Sequence, residues 1–404
     1  MTHFQANFSR AEYATVFAVV PALLFGGRAV SYVLFLWLLL RLASSVVSGS
    51  WGDRLRLEKM WAWMVAYFSL QLIATLWSED VSAAQFSWEV KASFFVVPLI
   101  VALPGALSPS DLRRVLAQGV VYSTAGYLLL RLALGVSDAS SGFGGLYYAG
   151  LAGDVHPTYL ALYAAVALAF LTEILPNAVR IRNVLAFFFL LCIGLLSSKA
   201  GVIAALPAIY FFSQARSEHK SKSELMPFSR RLLMGIACTA VLAGSAYLAG
   251  GDRFSELATA VEAVEAMESG SGQTPVVQSS SSGRVAVWRS AAELLVQHPL
   301  GVGTGDVEAE LNALYVRDGI DYALDRRLNP HNQWLQAGVA FGWPGVLIWS
   351  ALLIIGWCLA RKKGDTVLLA FICILGLHAC FESVLEAQRG VVFIAMALAV
   401  LARD

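Results

Sequence analysis

Twelve apolar runs dominate this chain, at residues 11–26, 29–48, 60–77, 84–104, 112–135, 157–174, 183–198, 200–213, 229–249, 330–360, 366–384 and 388–402. A helix needs about 20 apolar residues to cross the hydrocarbon core of a bilayer. Helices and closed barrels are the forms in which a backbone crosses lipid with its polar groups paired. The runs therefore predict an all-α polytopic membrane protein of about twelve transmembrane helices, the first, seventh, eighth and twelfth being short. Composition agrees: 58% of the 404 residues are hydrophobic and 14% charged, outside the range of soluble globular domains.

Charge orients the runs. Basic residues fill the loops at 49–59 (Arg54, Arg56, Lys59), 105–114 (Arg113, Arg114), 175–182 (Arg180, Arg182), 214–231 (Arg216, Lys220, Lys222, Arg230, Arg231) and 361–365 (Arg361, Lys362, Lys363). The positive-inside rule assigns these to the cytoplasm. They alternate with loops such as Ser78-Glu79-Asp80 and 136–156, which hold no Lys or Arg. Both termini are then cytoplasmic. The chain divides into residues 1–249 with nine spans, an outward loop at 250–329, and residues 330–404 with three more.

That loop carries six Arg against twelve Asp or Glu, a net −6. Such a charge argues against nucleic acid or anionic lipid as its partner. Residues 253–267, 284–297 and 306–317 have helical apolar spacing, and 269–283 is rich in Ser and Gly. Amphipathic helices tethered at both ends to spans are expected to lie over the membrane surface. The five cysteines fall in apolar runs without CxxC spacing, which predicts neither a disulfide nor a zinc site. The first run ends in Gly26-Gly27-Arg28 instead of a small-x-small cleavage site, so it is expected to stay in the mature chain.

Basic residues at the outward side run against the trend, and five stand out: Lys199, Arg284, Arg389, Arg131 and Lys91. Lys199 lies in the tight turn between the seventh and eighth runs, where an anion or the lipid headgroups would satisfy it. Arg284 follows Ser281-Ser282-Gly283, where Ser282 is placed to cap a helix whose exposed amides attract anions. A guanidinium there suits bidentate phosphate binding. Arg389 has Glu386 and Glu382 as possible ion-pair partners.

His331 is the sharpest candidate. Asn329 and Pro330 resemble an N-cap and first-turn pair, which places the imidazole in the first turn of the tenth helix. There the helix dipole favours the neutral ring, able to accept a proton. At 100° per residue Gly338, Gly342 and Gly345 fall within about 40° of His331. That face can approach another element closely, such as the Lys199 turn. His156, before Pro157, lies at another outward helix start, and His378 and Glu382 are spaced for an i,i+4 hydrogen bond. The run Gly301 to Gly305 lacks the strand and Lys-Ser/Thr ending of a nucleotide loop and reads as a turn.

Taken together, the twelve runs, the large outward loop before the tenth, His331-Asn332 followed by nine residues and Gly342-Trp343-Pro344-Gly345, and the stretch from Ser282-Gly283-Arg284 to Gly301-Val302-Gly303 resemble the O-antigen ligase and polymerase superfamily. The resemblance implies a GT-C-like fold in the bacterial inner membrane. It implies transfer of glycan from undecaprenyl diphosphate to lipid A-core oligosaccharide on the periplasmic face. In that scheme His331 is the general base, and Arg284 and Lys199 bind the diphosphate. Asn332, Arg389, His156, Arg131 and Lys91 are the supporting candidates. No metal or other cofactor is called for, because cations meet the charge that develops on the leaving diphosphate. Direct displacement inverts the anomeric centre. The family often has arginine where this chain has Lys199, which keeps the charge and loses the bidentate geometry. An O-antigen polymerase or a protein O-oligosaccharyltransferase shares the carrier; a lipid or solute transporter would instead show a pseudo-repeat and broken helices at mid-membrane.

Overall fold

The computed structural model describes residues 3–26, 29–48, 58–137, 144–218, 235–247 and 280–403. Among these residues the chain is helical, with no strand. Helices α1 (His3–Phe25), α2 (Ala29–Val47) and α3 (Lys59–Ala74) are followed by α4 (Val81–Lys91), α5 (Ser93–Ala102) and α6 (Pro109–Ser137). Next come the short α7 (Tyr148–Ala152), then α8 (Pro157–Ile174), α9 (Val179–Leu195), α10 (Lys199–Glu218) and α11 (Gly235–Tyr247). Three helices, α12 (Ser280–Gln297), α13 (Val307–Arg317) and α14 (Asp321–Asp325), precede α15 (Gln333–Lys363), α16 (Thr366–Ala379) and α17 (Gln388–Leu401).

Seven segments are long and apolar enough to cross a membrane: Ala6–Phe25, Ala29–Val47, Lys59–Trp77, Val81–Ala102, Pro109–Ser137, Pro157–Ile174 and Gln333–Lys363. The chain is a multi-pass helical membrane protein. The remaining apolar runs also form helices, but α11, α16 and α17 are shorter than a simple span, and α10 carries Pro207 within it.

Two ends of the bundle are set by polar contacts. At one end Glu12 of α1 accepts from the backbone amides of Ala106 at 2.7 Å and Leu107 at 3.0 Å. Its other oxygen pairs with buried Arg41 at 2.6 Å, as a charge among apolar helices requires. Arg113 bridges Glu173 and Asp365, and Arg403 donates to the Val101 carbonyl at 2.7 Å. Glu12 of α1, Arg403 after α17 and the basic loops at 105–114 and 361–365 therefore gather at the same end. Gly364, in the left-handed conformation, closes α15, and Asp365 caps α16 through the amides of Val367 and Leu368.

The opposite end holds the starts of α8, α10, α15 and α17. Here α8, almost wholly buried, packs against α6, α9, α10 and α16. The helices of the loop cover this end: α12 packs on α15, and Arg317 of α13 pairs with Glu293 of α12 at 2.6 Å. Asp306 accepts from the amides of Glu79 and Asp80, each at 2.8 Å, tying the loop to the turn between α3 and α4. The amphipathic segment expected at 253–267 lies outside the described residues. Helix α12 begins at Ser280, so Ser282 lies within its first turn and is not its cap.

The glycines of α15 serve a purpose that the helical wheel did not foresee. Gly342 breaks the helix, with φ 64° and ψ −152°, a conformation open to glycine at little cost. The turn after α12 docks into the break: Trp343 N–H donates to Pro299 O at 3.0 Å, and Val302 N–H to Val339 O at 2.9 Å. A Cβ on Gly342 would overlap Pro299 O, and one on Gly301 would overlap Ala340 O. Gly338 faces Leu295 of α12. The glycine face thus holds α12 and its following turn, and not the Lys199 turn. By the same docking, Arg284 on α12 is fixed relative to the start of α15.

Candidate active site

The turn at residues 329–332 is held by four hydrogen bonds. Asn329 Oδ1 accepts the His331 amide at 2.9 Å, and Trp288 of α12 donates to Pro330 O at 2.7 Å. Asn332 N–H donates to Ser383 Oγ at 3.2 Å, and Asn332 Nδ2 to Cys380 O at 3.1 Å. These bonds maintain His331 at φ 45°, a left-handed backbone that costs a non-glycine residue about 1–2 kcal/mol.

The N-cap of α15 is Asn332, whose Oδ1 accepts from the amides of Trp334 at 2.9 Å and Leu335 at 3.1 Å. Asn329, turned toward the His331 amide, does not cap the helix. The cap expected at Asn329 is therefore displaced by three residues, and the imidazole precedes the helix instead of sitting in its first turn. A carboxylate, not the helix terminus, is the charge beside it.

That carboxylate is Glu382, 4% exposed, whose Oε1 lies 3.1 Å from His331 Nδ1. An ionised carboxylate only accepts, so Nδ1–H donates and Nε2 carries the ring's lone pair. Burial by itself would raise the Glu382 carboxyl pKa; the hydrogen bond and charge of His331, with smaller contributions from His378 and His156, outweigh it and bring the value to about 2. Glu382 lies in the turn between α16 and α17, beyond the end of α16 at Ala379. The expected bond between His378 and Glu382 is not made: His378 Nε2 lies 3.1 Å from Thr158 O.

His331 lines a cavity of ≈ 290 Å³ together with Arg284, Lys199 and His156. Each comes from a different element: Arg284 from the first turns of α12, Lys199 from the start of α10, His156 as the N-cap of α8. Tyr148, Tyr322, Thr158, Ser197, Ser198 and Leu328 complete the wall, and no Asp or Glu is among the described lining residues. His156 Nδ1 accepts the Thr158 amide at 3.4 Å. Burial lowers the pKa of the His156 imidazole; Glu382 partly offsets this, and the charges of His331 and Arg284 add to it. The cavity is suited to an anion of several oxygens, met by a guanidinium, an ammonium and hydroxyl donors.

Backbone strain gathers here. Four described non-glycine residues have positive φ: Tyr148 (44°), Ser197 (47°), His331 (45°) and Arg327 (45°). The first three line this cavity, and Arg327 lines the neighbouring one. Strained backbone that packing holds in place clusters at functional sites.

The other three sequence candidates are used elsewhere. Arg131 donates to Gly150 O at 2.6 Å and Leu151 O at 3.3 Å, holding α7 in place. Arg389 donates to Leu23 O at 3.1 Å and to Asp154 O. Its expected partners are engaged with other groups: Glu382 with His331, and Glu386 with Lys91 at 3.0 Å. Lys91, 3% exposed, lies on the wall of the second cavity. Glu382 was the residue that spacing did not reveal, since 51 positions and two helices separate it from His331.

Residues 184–350 match the family model described as O-antigen ligase. The matched segment runs from α9 into α15 and includes Lys199, Arg284 and His331. No curated protein matches the chain.

Proposed function

We propose, on the premise that this chain belongs to the O-antigen ligase and polymerase family, that it is a ligase. It transfers glycan from undecaprenyl diphosphate to lipid A-core oligosaccharide at the periplasmic face of the bacterial inner membrane. The helices make twelve spans with both termini cytoplasmic, and the end of the bundle that carries His331 is periplasmic. The positive-inside rule supports this orientation, because the basic loops at 105–114 and 361–365 lie at the opposite end.

The reaction follows from the cavity. The acceptor hydroxyl gives its proton to His331 Nε2 as its oxygen attacks the anomeric carbon. The bond from that carbon to the diphosphate oxygen breaks, and the lipid diphosphate leaves with an added negative charge. Arg284 and Lys199 meet that charge with cations already in place on the cavity wall. Glu382 holds the His331 ring in the tautomer that leaves Nε2 free to accept, and it stabilises the imidazolium that forms. The single observation that carries the reading is the His331–Glu382 pair set in the wall of a cation-lined cavity.

The test is reconstitution in vesicles with undecaprenyl diphosphate glycan and lipid A-core acceptor. Transfer that His331→Ala abolishes, in a folded protein that still binds carrier, supports the reading; full activity in that variant removes the base. Offering a second lipid-linked glycan in place of lipid A-core separates ligase from polymerase, since a polymerase elongates it and a ligase does not.

A further inference from the structure

A second cavity, ≈ 280 Å³, lies beside the first, and its chemistry is different. Where the first is lined by cations with no carboxylate, here each cation is matched. Lys91 pairs with Glu386 at 3.0 Å on the inner wall, and Arg327 with Glu308 at 3.3 Å at the exposed rim. The charges cancel, so the cavity offers no net attraction to a phosphate. It offers hydrogen-bonding groups of both kinds and the exposed side chain of Phe86.

One wall residue carries an unpaired polar atom. Gln336, 7% exposed, lines the cavity, and its Oε1, turned away from the opening, takes no hydrogen bond from the described residues. A buried amide oxygen in that state costs free energy that turning the amide toward a ligand hydroxyl would recover. Arg327, the fourth residue with positive φ, stands at the rim, so the backbone strain is divided between these two cavities. They also share a wall: Leu328 lines both, and Asn329, which lines the second, accepts the amide of His331.

We propose that this second cavity is the subsite for an uncharged saccharide, the acceptor sugars next to the reacting one, which reaches past the shared Leu328 to the general base in the first cavity. Paired charges and amides bind sugar hydroxyls, the exposed Phe86 ring covers an apolar face of a pyranose, and the volume is near the lower end for small-ligand sites, about 300 Å³. The proposal rests on the glycosyl-transfer reading above and assigns acceptor and donor to separate cavities.

The experiment uses the full chain in nanodiscs with two readouts. One is binding of free core oligosaccharide, released from its lipid by mild acid, followed by saturation-transfer NMR. The other is the KM for each substrate in the transfer assay. Gln336→Leu, close in volume, is expected to weaken oligosaccharide binding and raise acceptor KM roughly tenfold, the loss of one hydrogen bond, with donor KM unchanged. Glu308→Ala, at the exposed rim, provides a second variant if the first fails to fold. His331→Ala should bind the oligosaccharide as the wild type does. A rise in donor KM, or no change in either KM, overturns the subsite while the ligase reading stands. Oligosaccharide binding lost in Gln336→Leu, in a wild-type protein that transfers nothing, overturns the ligase reading while the saccharide site stands.

Discussion

Nδ1 of His331 stands 3.1 Å from Oε1 of Glu382, joining the turn before α15 to the turn after α16. The contact gives the imidazole a fixed tautomer and a buried negative charge behind it. A histidine that only capped a helix would need neither.

Glu382 therefore acts through His331, and the two should be coupled. A positioned base contributes on the order of 10² to 10⁴ in rate. Glu382→Gln is expected to lose part of that factor in kcat, His331→Ala all of it, and the double variant no more than His331→Ala alone. The loss in Glu382→Gln should fall on kcat, with KM for both substrates unchanged. Additive losses, or a change confined to KM, would make Glu382 a structural residue only.

Acid stability carries the same pair. The Glu382 carboxyl pKa falls from an ordinary value of 4.5 to about 2 in the folded protein. A lowered folded-state value means that the stabilisation is complete above about 4.5 and is lost as pH falls toward 2. Thermal melting between pH 6 and pH 2 should show a steeper acid loss in the wild type than in Glu382→Gln.

Gly342→Ala tests the docking of α12. A side chain at φ 64° costs about 1–2 kcal/mol before any contact is counted, and its Cβ would also overlap Pro299 O. The variant should melt several degrees lower and lose transfer activity, because the turn that positions Arg284 is displaced. Gly338→Ala meets only side-chain methyls, of Leu295 and Val346, at 3.2 Å, and should lower the melting temperature much less than Gly342→Ala.

Arg284→Ala should raise donor KM on the order of tenfold or more, as expected for loss of a charge-assisted pair to phosphate, with Arg284→Lys in between because it keeps charge and loses the fork. Steady-state kinetics with varied undecaprenyl diphosphate glycan measures it. An unchanged donor KM and kcat would take Arg284 out of the site.

Asn332 performs two tasks that one pair of substitutions separates. Asn332→Ala loses the cap of α15, at about 1 kcal/mol, and the bond to Cys380 O. Asn332→Asp keeps the capping oxygen and loses only the Nδ2 donor. Melting temperature should fall in the first and recover largely in the second, while kcat falls in both, since both remove the Nδ2 bond to Cys380 O, one of the ties between the turn carrying His331 and the turn carrying Glu382.

Hydropathy alone located the helices, because a run of apolar residues is a local property and lipid accepts it in one way. Loop charge likewise separated the two ends of the bundle, and the misplaced cations and His331 stood out as residues that a plain span does not need. Contacts between helices were a different matter. Lipid is as apolar as a helix interface, so hydropathy does not say how a helix is rotated or which neighbour it meets. Only the packed chain showed that Glu382 turns to His331 instead of His378, that Gly342 breaks α15 to receive the turn at Pro299, and that Lys91 answers Glu386 in a separate cavity. Arg284, Lys199 and His156 share one wall because α12, α10 and α8 begin there, a convergence of three elements that no spacing along the chain records.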